Sequence, residues 1–330
     1  MSIAPALAGD TIYQGAAHLV ISKSATPLVT SAWTYLFCDG PVTVRLVRPA
    51  DELSVAGYGP VAEILKDEIV EVTFTPSQQK LTAAALDFLW GDILAKMPGA
   101  SWFGAADHPL WIHTMAGRIL EIANCRPVTF VPILFGDPAK RFGGSVTCTG
   151  VLKRNTARSA ANALFTPWAD QAWFTAPDED DFAGLPCSVS WALLEGLALE
   201  GMEAWQLAPQ ATLTPVTPPN IGTIDFRVSA VSLELSGAPA NLSEANLWAA
   251  AAAGASRALG TSARPGGDLT IAEDAGGLTA VVKNAVWRDP KTRFDPAAPI
   301  SDRCVWRSRR KAVTAEDVTS WTPAGTCALT

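Results

Sequence analysis

Three histidines, His18, His108 and His113, are the whole stock of side chains whose ordinary titration falls near neutral pH. Two of them stand in Asp107-His108-Pro109-Leu110-Trp111-Ile112-His113, where a carboxylate and two imidazoles suggest a metal or acid–base centre. On an extended chain their odd spacing points the rings to opposite faces, and no second cluster of ligands accompanies them. Neighbouring carboxylates suited to glycosidic chemistry occur at Asp51-Glu52 and Asp178-Glu179-Asp180-Asp181, both in polar, turn-rich stretches. Cys38, Cys125, Cys148, Cys187, Cys304 and Cys327 are scattered without a C-x-x-C and read as reduced core thiols. No G-x-S-x-G, Walker A or G-x-G-x-x-G follows a strand. The expectation is therefore a protein without catalytic, cofactor-binding or metal-ligating residues.

The elements that would position such groups are mainly strands. Val42, Val44 and Leu46 alternate with polar residues, and Val70, Val72 and Phe74 do the same, as half-buried sheet requires. Thr75, Pro76 and Gln78 have the spacing of an N-cap, a first helical proline and a capping-box partner, which predicts a helix through Leu81, Ala85, Phe88, Leu89 and Ile93 to about Lys96. Pro98-Gly99 ends it. Next comes a hairpin turning at Thr114-Met115-Ala116-Gly117, then strands over 128–134 and 145–153.

The order recurs. LTAAAL, beginning at Leu81, stands against LSEANL, beginning at Leu242, and PLWIHTMAGRILEIANC against DLTIAEDAGGLTAVVKNA. Gly117 matches Gly276, Asn124 matches Asn284, Phe135-Gly136-Asp137-Pro138 is echoed by Phe294-Asp295-Pro296, and Val146 matches Val305. The offset stays near ~160 residues throughout, which argues for a duplication. The predicted organisation is a first domain over 1–168 with an N-terminal arm, an acidic linker over 169–185 and a second domain over 186–330.

With 330 residues, 48% of them hydrophobic and 17% charged, the chain can bury more than one core. A net charge of -7 disfavours tight binding to nucleic acid or anionic lipid. No run of apolar residues is long enough to span a bilayer, and the N-terminus does not read as a secretory signal, so a soluble protein made in the cytosol is expected. Between Arg158 and Arg227 there is no lysine or arginine, which predicts a negative face carrying Glu195, Glu200 and Glu203. Arg307, Arg309, Arg310 and Lys311 read as a solvated strand end or a salt-bridging interface. The 12 tryptophans sit mostly in apolar patterns, although aromatic faces can also hold sugars.

Taken together, the strand ending in Phe74-Thr75-Pro76, the single helix, the Pro109-Leu110-x-Ile112-His113 hairpin with Gly117-Arg118, and the Phe142-Gly143-Gly144-Ser145-Val146-Thr147-Cys148-Thr149-Gly150 strand resemble the tail tube proteins of long-tailed bacteriophages. The likeness covers 42–168 and, more faintly, 221–323. It implies a mainly β (α+β) fold of two tandem barrel or sandwich domains, each flanked by one helix. It also implies a homo-oligomer in which three duplicated chains make a pseudo-hexameric ring that stacks into a hollow tube within the virion tail. Other tail proteins would be its partners, DNA would pass through the lumen, and neither a cofactor nor a membrane is called for. The competing expectations are another virion ring, such as a tail terminator or baseplate component, and a two-domain carbohydrate-binding β-sandwich protein.

Two stretches with irregular periodicity, 51–60 and 206–220, are expected to project and contact the next ring, through Asp51, Glu52, Gly57 and Tyr58 in the first and Gln206, Pro209, Pro215 and Asn220 in the second. Glu195, Glu200 and Glu203 are expected to lend the lumen its negative charge.

Overall fold

The computed structural model describes residues 17–21, 34–77, 83–114, 119–151, 165–168, 186–194, 198–201, 203–219, 221–240, 267–274, 278–288 and 303–308, and of 165–168 the backbone alone. Among these residues 59% are in strands and 6% in helices, and the sheets are antiparallel.

The first half runs β1 (Ala17–Ile21), β2 (Thr34–Leu36), β3 (Thr43–Val47), β4 (Ala50–Val55), β5 (Gly59–Leu65), β6 (Ile69–Phe74), α1 (Ala83–Leu89), β7 (Leu110–Thr114), β8 (Ile119–Ile122), β9 (Cys125–Pro127), β10 (Ile133–Phe135), β11 (Val146–Gly150) and β12 (Phe165–Trp168). The second half runs β13 (Cys187–Trp191), β14 (Ala198–Leu199), β15 (Trp205–Val216), β16 (Asp225–Gly237), β17 (Gly267–Glu273), β18 (Thr279–Arg288) and β19 (Cys304–Arg307).

Strands pair in one order in both halves. In the first, β2–β1–β7–β8 form one run, extended beyond β8 by β12, and β9–β11–β6–β3 another. In the second, β14–β13–β17–β18–β19–β16–β15 form a single run. There β18 does the work of both β8 and β9: it pairs with β17 as far as Ala285 and with β19 from Val286 onward. Just before the handover the β17–β18 register shifts at Asn284, whose φ of 50° is the left-handed conformation that asparagine tolerates better than most residues. Its amide donates to Asp268 Oδ1 at 3.0 Å. Asn124, its match in the sequence, sits in the break between β8 and β9.

The halves share one apolar core. Val72, Phe74, Leu89, Trp102, Ile122 and Phe135 belong to the same buried cluster as Leu207, Leu235, Ile271, Val282 and Trp306. Around Trp306, which is fully buried, stand Trp191, Trp205 and Trp287 at ring separations of 5.9, 6.0 and 6.0 Å. Gly237 is required there, since a Cβ would lie 2.3 Å from the Trp205 ring.

Several local expectations are corrected. Pro76 does not open a helix: it forms a β-bridge with Cys38, and Ser77 donates to the Phe37 carbonyl at 3.0 Å, so the chain stays extended past Phe74. The helix stops at Leu89, because Gly91 turns to φ +53°, where a Cβ would strike the Arg126 guanidinium at 2.4 Å. Only a short 3₁₀ turn, Ile93–Ala95, continues. The strand expected over 128–134 is not formed as such: β9 ends before it at Pro127, and only from Ile133 does the chain enter a strand, β10, which belongs to a different sheet from β9. The acidic run at 178–181 and the second-half helix expected from about Asn241 lie outside the described residues.

Candidate assembly surface

Exposed large hydrophobic residues concentrate in one place. Among the described residues Leu53, Val55, Tyr58, Val61, Ile64 and Leu65 all fall on the β4–β5 hairpin, Ile221 lies in the loop beside its base, and only Val44 lies apart, on β3. Tyr58 at the tip is 84% exposed. A two-stranded hairpin that buries neither face has no core of its own, and an apolar patch of this kind ordinarily meets a partner.

The hairpin begins where Pro49 interrupts β3. The Lys66 amide closes its base on the Pro49 carbonyl at 2.9 Å, and Lys66 Nζ pairs with the Asp51 carboxylate. Behind the base, Arg48 meets Glu68 at 3.3 Å. At the tip the Tyr58 amide donates to the Val55 carbonyl at 3.0 Å, with Gly57 at φ +86° and Gly59 at φ +75°. The expected irregular loop at 51–60 is therefore a regular hairpin. Its apolar residues fall on both faces, so the alternation that marks a half-buried strand is absent.

The second expected loop is also regular. Gln206, Pro209 and Pro215 lie along β15, paired with β16 from Gln206–Ser236 to Val216–Asp225. Proline is tolerated there because, among the described residues, β10 covers β15 only over Trp205–Leu207, which leaves the rest an edge. Asn220 lies outside the described residues. Beyond Val216 the chain turns back at Gly222, φ +88°, and is fixed to the hairpin base by Asp67. Asp67 Oδ1 accepts the Thr223 amide at 2.7 Å and the Glu68 amide at 2.8 Å, and its Oδ2 accepts the Thr223 hydroxyl at 2.5 Å. The chain just beyond each of the two stretches thus meets in a contact that links the two halves.

Of the acidic residues expected to face a lumen, Glu200 and Glu203 are exposed, and Glu195 lies outside the described residues. Glu203 is 3.6 Å from Arg303 and lines a cleft of about 470 Å³ with Phe135, Asp137, Cys187 and Trp205. Burial pushes the Cys187 thiol up to about 11, aided by nearby Glu273, which makes it a poor nucleophile.

The histidines do not converge as one centre. His108 Nε2 lies 2.9 Å from the Phe103 carbonyl. His113 is fully buried, with Nδ1 2.8 Å from the Tyr35 hydroxyl, and its cross-strand partner is His18, whose Nδ1 accepts the Cys38 amide at 3.0 Å. Sequence reading missed that pair because β1 and β7 are brought together only by the sheet. Desolvation, and then repulsion from His113, lowers the His18 pKa below its ordinary 6.5. No group of three or more potential metal ligands occurs among the described residues.

Trp90, Trp102, Trp111, Trp191, Trp205, Trp287 and Trp306 are all buried. None of these indoles offers a face to a sugar. Cys38, Cys125, Cys148 and Cys304 are buried free thiols.

No protein-family model matches the chain, and no curated protein matches it in sequence.

Proposed function

We propose that this chain is a structural subunit of a bacteriophage tail tube. Two tandem domains, 1–168 and 186–330, would be joined by an acidic linker over 169–185, each flanked by one helix. Three copies then make a pseudo-hexameric ring, and rings stack into a hollow tube through which DNA passes. The observation that carries the reading is the apolar β4–β5 hairpin, an exposed arm on an otherwise well-buried fold. The common pairing order of the halves supports it, because a duplicated unit lets one chain present two related surfaces to its neighbours.

On this reading the hairpin and the β15–β16 loop form a single foot that seats on the next ring, and Glu200 and Glu203 lend the lumen negative charge that keeps DNA from adhering. Electron microscopy of the concentrated pure protein tests it. Hollow filaments with an axial repeat are expected. Closed single rings that never elongate would instead fit a tail terminator or baseplate ring. A monomer at every concentration would reject both.

A further inference from the structure

The two ends of the β15–β16 hairpin differ. One end, where Val216 pairs with Asp225, leads through Thr223 to Asp67 at the base of the β4–β5 hairpin. The other begins at Trp205, which pairs with Phe135 of β10. The 12 residues of β15 at a strand's rise put roughly 35 Å between them. The cleft of about 470 Å³ opens at this second end, lined by Phe135, Gly136 and Asp137 from the first half and by Cys187, Glu203 and Trp205 from the second. Cations stand around its mouth. Arg303 lies 3.6 Å from Glu203, the exposed Lys140 follows Asp137 and donates its amide to Oδ1 at 3.0 Å, and Arg288 is exposed where β18 ends opposite Val305.

The β4–β5 hairpin, rooted at the first end, carries matching chemistry. Tyr58 at its tip offers solvent an aromatic ring and a hydroxyl together. Behind the tip Glu52 and Glu63 stand directly opposite each other, both exposed. Like charges placed across a strand pair repel, and the cation nearest in the chain, Lys66, is taken by Asp51. A surface that brought cations to these two carboxylates would relieve the repulsion.

We infer that the cleft receives the β4–β5 tip of a second copy of this chain, with Tyr58 filling it and Glu52 and Glu63 meeting the cations at its mouth. The volume is in the range that takes whole small ligands and is ample for one aromatic side chain. Asp137, whose Oδ1 already accepts the Ala139 and Lys140 amides, and Glu203 offer carboxylate oxygens to the Tyr58 hydroxyl. An aromatic anchor seated in a pocket is the kind of contact that dominates the energy of an interface. Arm and cleft are unlike surfaces belonging to opposite ends of β15–β16, so the contact repeats head to tail and builds a stack of molecules. This rests on the tail-tube reading above and specifies the surface on which its hairpin seats.

Photo-crosslinking tests the contact. Protein with p-benzoylphenylalanine in place of Tyr58 is added as a minor component to filaments of isotope-labelled wild-type protein, and mass spectrometry locates the crosslinks. They are expected at residues 135–138 and 201–205 of a labelled copy. Tyr58→Ala and Tyr58→Phe give a second readout, and the exposure of Tyr58 lets both variants fold, which circular dichroism checks. Y58A is expected to raise the protein concentration needed for filaments by about 30-fold, and Y58F by no more than about 5-fold. Crosslinks confined to other surfaces or to the same copy, or filaments of Y58A at the wild-type concentration, would overturn the inference and leave the tube reading standing. A wild-type protein that stays monomeric at millimolar concentration would overturn both.

Discussion

Asp67 and Thr223 stand 156 positions apart in the chain and hold each other by two hydrogen bonds, from the Thr223 amide and the Thr223 hydroxyl to the two oxygens of one carboxylate. The carboxylate also takes the Glu68 amide, so three donors converge on it and fix the hairpin base against the β15–β16 loop. Asp67→Ala strands the Thr223 donors and is expected to cost about 1–3 kcal/mol in denaturant unfolding. Gly222→Ala should act in the same direction, because its φ is +88° and the added Cβ would fall 2.6 Å from Asp67 Oδ1. Hydrogen exchange at 222–224 should accelerate before that of the sheets, and an unchanged profile in D67A would refute the role given to this carboxylate.

Arg141 and Glu273 make a second tie between the halves, buried to 6% and 3% side-chain exposure and bonded in a bidentate fork. Glu273 Oε2 also accepts the Leu278 amide at 2.7 Å. Removing one partner leaves a buried charge uncompensated, so Glu273→Leu should cost about 3–5 kcal/mol, and adding Arg141→Met should recover much of that loss. A double-mutant cycle in urea measures the coupling. Additive losses would mean that the ions do not depend on each other.

The His18–His113 pair predicts acid sensitivity. The His18 pKa is lowered in the folded state, so the neutral ring is the form the fold favours. That contribution is complete above the unfolded value of 6.5 and is lost as pH falls through the folded value. The neighbouring Tyr35 and Cys38, each pushed up to about 12 by burial, stay neutral over this range. The melting temperature should therefore drop as pH falls below about 6.5, and His18→Gln should flatten that slope. Equal slopes for the two proteins would place the acid sensitivity elsewhere.

Replacing Leu53, Val61 and Ile64 by threonine should leave the unfolding free energy of the subunit within about 0.5 kcal/mol, since all three are exposed. Filament formation should nevertheless be lost. Normal filaments from the triple variant, seen by negative stain, would show that the hairpin is not the stacking arm.

What could be read in the sequence follows from where each segment lies. β6 and β7 carry clear apolar patterns because the core draws on one or both of their faces, and the β7–β8 hairpin was legible from its register, although its turn lies outside the described residues. β4 and β5 were not, because a hairpin standing in solvent imposes no periodicity on its residues. β15 does alternate, at Trp205, Leu207, Pro209, Ala211 and Leu213, yet its prolines argue against a strand until its edge position is known. Pairings such as His18 with His113 or Asp67 with Thr223 join residues far apart in the chain and leave no local trace.

β10 also constrains how the molecule comes into being. During synthesis Ile133–Phe135 leaves the ribosome long before β15 exists, so an apolar strand must wait without its permanent neighbour. While it waits, the β15 edge of another nascent chain on the same message is an equally good match, and the exchange would yield entwined dimers. A chain built this way depends on dilution, chaperones or rapid completion of its second half to keep the strand at home.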